Sequence, residues 1–360
     1  MTYTVATIIG TRPQFIKEAP MSMALRKNFN ELIIHTGQHY DENMSYVFFE
    51  DMEIPQPDYN LNIGSGLHGE QTGRMLAAIE EVLIKEKPDY VLVYGDTNST
   101  LAGALAAVKL QIPVGHIEAG LRSFNRNMPE EINRIATDRI ADHLFCPSKH
   151  AVSLLKNEGI EKNVFLTGDV MYDACLHFLP IAEKKSTILE SLGLTHEQYL
   201  LLTIHRPSNT DDTHAFMSIM KGIADSPWPI VFPRHPRTKK VIQNTAVQKM
   251  LSEMPHLKII ESVGFLDMLY LEHHARKILT DSGGVQKEAY FLGKPCITLR
   301  TETEWVETVK AGYNVITDND PEKIRQAIHV FDPTHPQENF YGDGNAAEKI
   351  TESIKKAFNL

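Results

Sequence analysis

The sequence predicts an α/β chain of two Rossmann-like domains whose parallel sheets face an interdomain cleft. Three observations carry that prediction. At 360 residues the chain is long for one domain. Short runs of near-continuous Val, Ile and Leu alternate with amphipathic stretches, the pattern of parallel strands covered on both faces by helices. The alternation pauses between residues 168 and 195 and then restarts. The expected division is therefore residues 1–168, rejoined by about 341–360, and residues 169–340.

Taken in order, Tyr3 to Ile9 reads as the first strand and Pro13 to Arg26 as its helix. Leu32 to His35 follows as a strand, and Gln71 to Lys85 as a helix with Met75, Ile79, Val82 and Leu83 on one face. Tyr90–Tyr94, Val114–Ile117, Leu144–Cys146 and Val164–Leu166 complete the strands of the first half. Asp169 to Lys185 is a helical connector. The second series runs Leu200–Ile204, Ile230–Phe232, Ile259–Ile260, Lys277–Leu279 and Cys296–Leu299. A last helix, about Gly344 to Phe358, is placed to cross back onto the first domain.

Composition narrows the function. A net charge of −10 argues against a nucleic-acid or membrane-surface binder, so any bound phosphate is met by a local cluster of donors. No apolar run approaches a membrane span, and Met1 leads directly into a strand without a signal-peptide pattern. Cys146, Cys175 and Cys296 lie in apolar settings without metal spacing and read as buried thiols of a reducing compartment, which places the protein in the cytoplasm.

Polar residues gather at strand ends, where open α/β sheets bind ligands. Thr280-Asp281-Ser282-Gly283-Gly284 stands between a strand and the helix Val285 to Leu292. Unpaired N–H groups and the helix dipole make such a turn an anion site, glycine allows close approach, and Glu288 lies one turn in to meet ligand hydroxyls. An ordinary turn capped by Ser282 explains the same stretch. Arg12 and Lys17 follow the first strand in Gly10-Thr11-Arg12-Pro13-Gln14-Phe15-Ile16-Lys17, which lacks dinucleotide glycine spacing. Asp96 follows Tyr90–Tyr94, Glu118 follows Val114–Ile117, and Glu130 opens a helix. Helix capping and dipole complementation explain Asp96 and Glu130 individually. In the second half His205 ends one strand and His235 follows the next.

Together these words resemble the non-hydrolysing UDP-N-acetylglucosamine 2-epimerases over nearly the whole chain. The matching residues are Gly10-Thr11-Arg12-Pro13, Tyr94-Gly95-Asp96-Thr97, Gly115 to Arg122, Pro129-Glu130-Glu131 with Asn133-Arg134, Thr167-Gly168, His205-Arg206, Thr280 to Gly284 with Gln286 and Glu288, and Tyr341 to Gly344. The resemblance implies a GT-B-like fold, a homodimer, no nicotinamide cofactor and no metal, and interconversion of UDP-GlcNAc and UDP-ManNAc in the supply of surface polysaccharide precursors. It makes Asp96, Glu118, Glu130 and His205 the catalytic groups. Arg12, Lys17, Arg134, His235, Phe265, Ser282, Gly283, Gly284 and Glu288 become substrate-binding, with Phe265 against the uracil and His235 near the diphosphate.

The chemistry explains why several acids are needed. The C2 proton of a 2-acetamido sugar has no adjacent carbonyl and is barely acidic. The family removes it together with UDP, leaving a C1–C2 double bond, and then adds both back with the proton on the other face. Donors must meet the departing diphosphate, and carboxylates must reach both sugar faces. A GT-B glycosyltransferase shares the fold and the nucleotide turn, but needs an acceptor groove in place of those carboxylates.

Departures from the usual pattern bear on the sugar. Gln14-Phe15 replaces a glutamate and alanine, and Glu304-Trp305-Val306-Glu307 replaces Glu-Arg-Pro-Glu. With Ser123-Phe124-Asn125, these words are similar to the branch acting on UDP-2,3-diacetamido-2,3-dideoxyglucuronic acid. Gln14 removes a negative charge, which eases uronate binding; Trp305 removes a positive one, which opposes it. For a regulatory site holding a second UDP-sugar, Gln38 and His39 are kept. Asp41 replaces a glutamine there, and Ser65-Gly66 replace Arg-Gln.

Overall fold

The computed structural model describes residues 3–38 and 54–358. The chain divides into two compact units, Met1–His177 with Asn339–Leu360, and Phe178–Glu338.

In the first unit the strands are β1 (Thr4–Ile9), β2 (Asn30–His35), β3 (Tyr59–Asn60), β4 (Tyr90–Tyr94), β5 (Val114–Ile117), β6 (His143–Cys146) and β7 (Val164–Leu166). They form one sheet in the order β3-β2-β1-β4-β5-β6-β7, and every recorded pairing is parallel. Ala6, Ile8, Ile34, Val91 and Val93 turn one face toward Met75, Ile79 and Leu83 of the helix His68–Glu86 and toward Ala102 and Ala106 of Asn98–Lys109. Small residues on the latter let its backbone lie close to the sheet. The chain returns at its end as the helix Ala346–Ala357, which buries Ile350 and Ile354. Phe358 then stacks on Tyr3 at 4.4 Å between ring centroids.

The second unit repeats the plan with β8 (Leu200–Thr203), β9 (Ile230–Pro233), β10 (Leu257–Ile260), β11 (Lys277–Thr280), β12 (Cys296–Thr298) and β13 (Asn314–Ile316), ordered β10-β9-β8-β11-β12-β13. Leu200, Leu202, Phe232, Leu279 and Ile297 pack on Phe216, Ile219, Met220 and Ile223. On the other face Leu201, Val231 and Ile278 meet Leu271 and Ala289. Burial on both faces explains why these strands read as unbroken apolar runs. Lys277 enters this core fully buried because its ammonium caps the helix Pro321–Val330, donating to the carbonyls of Ile328 at 3.0 Å and Phe331 at 2.5 Å.

Both sheets are Rossmann-like, and each reverses strand order at one place: between β1 and β4, and between β8 and β11. Ligands of such sheets bind beyond the strand ends at that reversal. The loops there begin at Gly10 and Gly95 in the first unit, and at Ile204 and Asp281 in the second. Sequence patterning misses β3 and β13, short strands at the sheet edges. Among the described residues no helix is long and apolar enough to cross a membrane. Cys146, Cys175 and Cys296 are buried.

Candidate functional site

In the first unit the switch-point loops bring two charge pairs together. Lys17, buried one turn into the helix Arg12–Leu25, pairs with Glu118 beyond β5. Asp96 beyond β4 pairs with Arg134 of the helix Pro129–Ile140. Gly95 lies beside both members of the first pair: a Cβ added there would stand 3.5 Å from Glu118 Oε2 and 3.7 Å from Lys17 Nζ. Lys17 and Glu118 line a small recess with Pro147, Gly168 and Asp169. Arg12 is the first residue of its helix and half-buried, and Glu130 is exposed in the first turn of Pro129–Ile140.

The backbone at Glu118 is held against its preference. Its φ of 68° lies in the left-handed region that side chains rarely adopt. A buried network fixes the loop on either side. His116 Nδ1 meets Asp138 Oδ1 at 2.7 Å, and its Nε2 meets the Gly95 carbonyl at 2.6 Å. Asp138 also accepts from the Gly120 amide at 3.2 Å and from Arg122 at 2.7 Å. Burial alone would raise the Asp138 carboxyl, but His116 and Arg122 hold it below its ordinary value. Glu131 braces the next loop, accepting from the amides of Ser123 at 2.9 Å and Phe124 at 3.0 Å. Sequence reading assigned no role to Asp138 or Glu131, because their partners lie on other elements.

Gln14 has a structural task of its own. Its side chain is buried, with Oε1 accepting from the Gly10 amide at 2.8 Å and Nε2 donating to the Tyr94 carbonyl at 2.8 Å. It staples the ends of β1 and β4 together. Gly10 itself has no room for a side chain: a Cβ there would stand 2.1 Å from Thr36 Oγ1 and 2.3 Å from Ser99 Oγ. Gln38 accepts from Ser99 Oγ at 2.7 Å, while His39 and Asp41 lie outside the described residues.

In the second unit Asp281 organises the switch point. Fully buried, it accepts from the backbone amides of His205 at 3.0 Å and Arg206 at 2.9 Å, and from Asn209 Nδ2 at 3.1 Å. These bonds tie the loop after β8 to the end of β11. The half-buried His205 ring keeps Nδ1 3.5 Å from Asp281 and lies 5.3 Å from the His235 ring. Burial lowers the His205 pKa, against the upward pull of Asp281. The ring is therefore neutral near pH 7 and able to accept a proton. His235 caps the helix Pro236–Ile242, its Nδ1 accepting from the Arg237 amide at 3.2 Å.

Ser282 caps the helix Gly283–Phe291, its Oγ accepting from the Val285 amide at 3.4 Å. Beside Gly284 the space is open: an added Cβ would meet only Ser282 Oγ, at 3.8 Å. Gly283 faces Trp305, Glu304 and Arg300, which lie 3.6–3.9 Å from where its Cβ would stand. Arg300 and Glu304 form a buried two-point ion pair of 3.0 and 3.1 Å, and Trp305 carries the Lys287 ammonium 4.3 Å above its ring. Glu288 is buried in the same helix as the capped turn. Phe265 opens the helix Phe265–His274, is buried, and meets Phe178 edge-on at 5.7 Å.

Two Rossmann-like units, each gathering charged and hydroxyl side chains at its strand-order reversal, define a GT-B-like protein. The family model of UDP-N-acetylglucosamine 2-epimerase matches residues 22–355. A UDP-N-acetylglucosamine 2-epimerase homolog of Methanococcus maripaludis is 54% identical over 98% of this chain and 99% of its own. The UDP-2,3-diacetamido-2,3-dideoxy-D-glucuronate 2-epimerase of Pseudomonas aeruginosa is 47% identical over 98% of this chain and 99% of its own. Among solved structures, the Methanocaldococcus jannaschii UDP-GlcNAc 2-epimerase in complex with UDP-GlcNAc and UDP superposes with a TM-score of 0.91. It is 48% identical and covers 98% of this chain and 99% of that one. The chain belongs to the UDP-N-acetylglucosamine 2-epimerase family, a family of isomerases.

Proposed function

We propose that this protein interconverts the C2 epimers of a UDP-2-acetamido sugar, of the UDP-GlcNAc and UDP-ManNAc type, by eliminating UDP to a glycal and adding it back. The observation that carries this reading is the collection of Asp96 and Glu118, each beside a cation, at one switch point, with His205 and the Ser282 turn at the other. In the forward half-reaction a base takes the C2 proton, the C–H electrons form the C1–C2 double bond, and the C1–O electrons leave with UDP. Re-addition reverses each movement, with the proton delivered to the opposite face.

The first domain, which we take as residues 1–168 with about 341–360, supplies the carboxylates Asp96, Glu118 and Glu130. Lys17 orients Glu118 and Arg134 orients Asp96. The second, residues 169–340, holds UDP. There the Ser282–Gly284 turn and His235 meet the diphosphate, Glu288 the ribose and Phe265 the uracil, and Arg12 of the first domain is a further donor to the diphosphate. His205, neutral and close to Asp281, exchanges a proton during the return step. The enzyme works as a cytoplasmic homodimer feeding surface polysaccharide synthesis, and Gln38 with His39 contributes to a regulatory site.

A second substrate, UDP-2,3-diacetamido-2,3-dideoxyglucuronic acid, is favoured by the motif words around Gln14 and Trp305. With Gln14 acting as a staple, that preference rests on the words and not on its charge. Incubation with each UDP-sugar, followed by proton NMR of the C2 position, tests both readings. The accepted sugar will show growth of its C2 epimer; no epimer from either would overturn the assignment.

A further inference from the structure

The geometry points to a divalent transition-metal site in the second unit, made by Glu183, His273 and His274. This inference does not depend on the proposed reaction, which needs no metal. Glu183 stands near the end of the helix Val170–Lys185, and the two histidines close the helix Phe265–His274. Glu183 Oε1 lies 3.6 Å from His273 Nε2 and 3.9 Å from His274 Nε2, and the three ligand atoms all fall within 4.8 Å of one another. Those separations are too long for hydrogen bonds. They suit atoms sharing one ion: legs of about 2.0–2.2 Å in a tetrahedral zinc site put neighbouring ligands ~3.4 Å apart.

The surroundings hold the ligands in place. His196 stacks on His274 at 3.8 Å between centroids, and Tyr270 meets the same ring edge-on at 4.4 Å. Ser186, three residues beyond Glu183, donates to Asp267 at 2.6 Å and fastens the two helices independently. Lys294, whose charge acts on both His273 and His274, is engaged by Glu197 at 3.0 Å. Two imidazoles and a carboxylate suit zinc, with water completing four-coordination.

Its place argues for a structural role. His274 is followed by β11, whose far end carries Asp281 and Ser282. The ion therefore sits at the amino end of the strand, opposite the switch point. It ties the close of Val170–Lys185 to the helix that leads into β11.

Zinc titration of the chelator-stripped full chain tests the site, with cobalt(II) as a spectroscopic substitute. The wild type is expected to take up one zinc per chain, to gain thermal stability as it does so, and to give the visible bands of four-coordinate cobalt. Glu183→Gln with His273→Gln should weaken zinc by more than ~100-fold, beyond the usual effect of losing a supporting hydrogen bond to a ligand, and should abolish the cobalt bands. Epimerase turnover should be equal in both proteins, which separates this outcome from failure of the proposed reaction. Should the double variant fold poorly, Glu183→Gln at its exposed position repeats the comparison. No uptake by the wild type at micromolar zinc, or equal affinity and cobalt bands in the variants, overturns the site.

Discussion

Glu118 is one of several non-glycine residues of the first unit held at positive φ, and the one among them that also carries a buried ion pair, with Lys17. A non-glycine side chain at φ 68° costs about 1–3 kcal/mol, and the His116–Asp138–Arg122 network is what keeps it there. Such a position is maintained where a side chain must be aimed. Replacing Asp96 by Asn, Glu118 by Gln or Glu130 by Gln should each lower turnover ~10²–10⁴-fold while UDP affinity stays nearly unchanged, because the proposed reaction uses these groups at the sugar. Steady-state kinetics beside UDP titration calorimetry distinguishes the two effects, and near-normal turnover in any variant removes that residue from the site. In the second unit, Ser282→Ala with Gly284→Val should weaken UDP itself, since the cap and the open approach to the helix start are both altered. Unchanged UDP binding by the folded double variant would leave Ser282 as an ordinary helix cap.

The same residues mark how far sequence reading reaches. Asp96, Glu118, His205 and Ser282 were legible because each follows an apolar strand directly, so local pattern alone places them. Their partners were not. Lys17 and Glu118 are 101 positions apart, and Asp96 and Arg134 are 38 apart, so only the strand order brings them together. Gln14 has a partner set that was not legible for the same reason: its amide is consumed by backbone groups at the ends of two strands.

At the scale of elements, the helices read from the sequence lie within a few residues of those found, whereas shorter ones such as Pro236–Ile242 and Thr245–Ser252 were not read. Gln71 to Lys85 was expected and His68–Glu86 is found. The strand of Tyr59–Asn60 was not legible, since two residues carry no pattern and its pairing with β2 defines it. The closing helix Ala346–Ala357 depends on a distant group in the same way. Asp173 accepts from the Ala347 amide at 2.8 Å, while its Oδ1 is buried without a hydrogen-bond partner among the described residues. Burial raises its pKa to about 6 against that amide bond. The folded state thus binds the proton more tightly than the unfolded chain, and this stability is present at low pH and lost as pH rises through about 6. Between pH 5 and 8 the wild type should lose on the order of 1 kcal/mol more than Asp173→Asn, whose amide oxygen can still accept from Ala347. Paired urea unfolding curves at the two pH values measure this; parallel losses would show that Asp173 is not the titrating group.

For the whole molecule, one Rossmann-like plan is used twice, and its repetition was visible as a restart of the strand–helix alternation. The two strand-order reversals then account for the charged and hydroxyl words that follow β1, β4, β8 and β11. What alternation does not reveal is which strands neighbour one another, and therefore which loops share a switch point. The proposed reaction breaks and remakes a carbon–hydrogen bond at C2 while UDP leaves and returns. The most direct measurement is epimerisation of the accepted UDP-sugar in D2O, with oxygen-18 in the bridge between C1 and phosphorus. Elimination and re-addition predict deuterium at C2 of the product and scrambling of the label into non-bridging phosphate oxygens. Epimerisation with the original C2 hydrogen fully retained would contradict it.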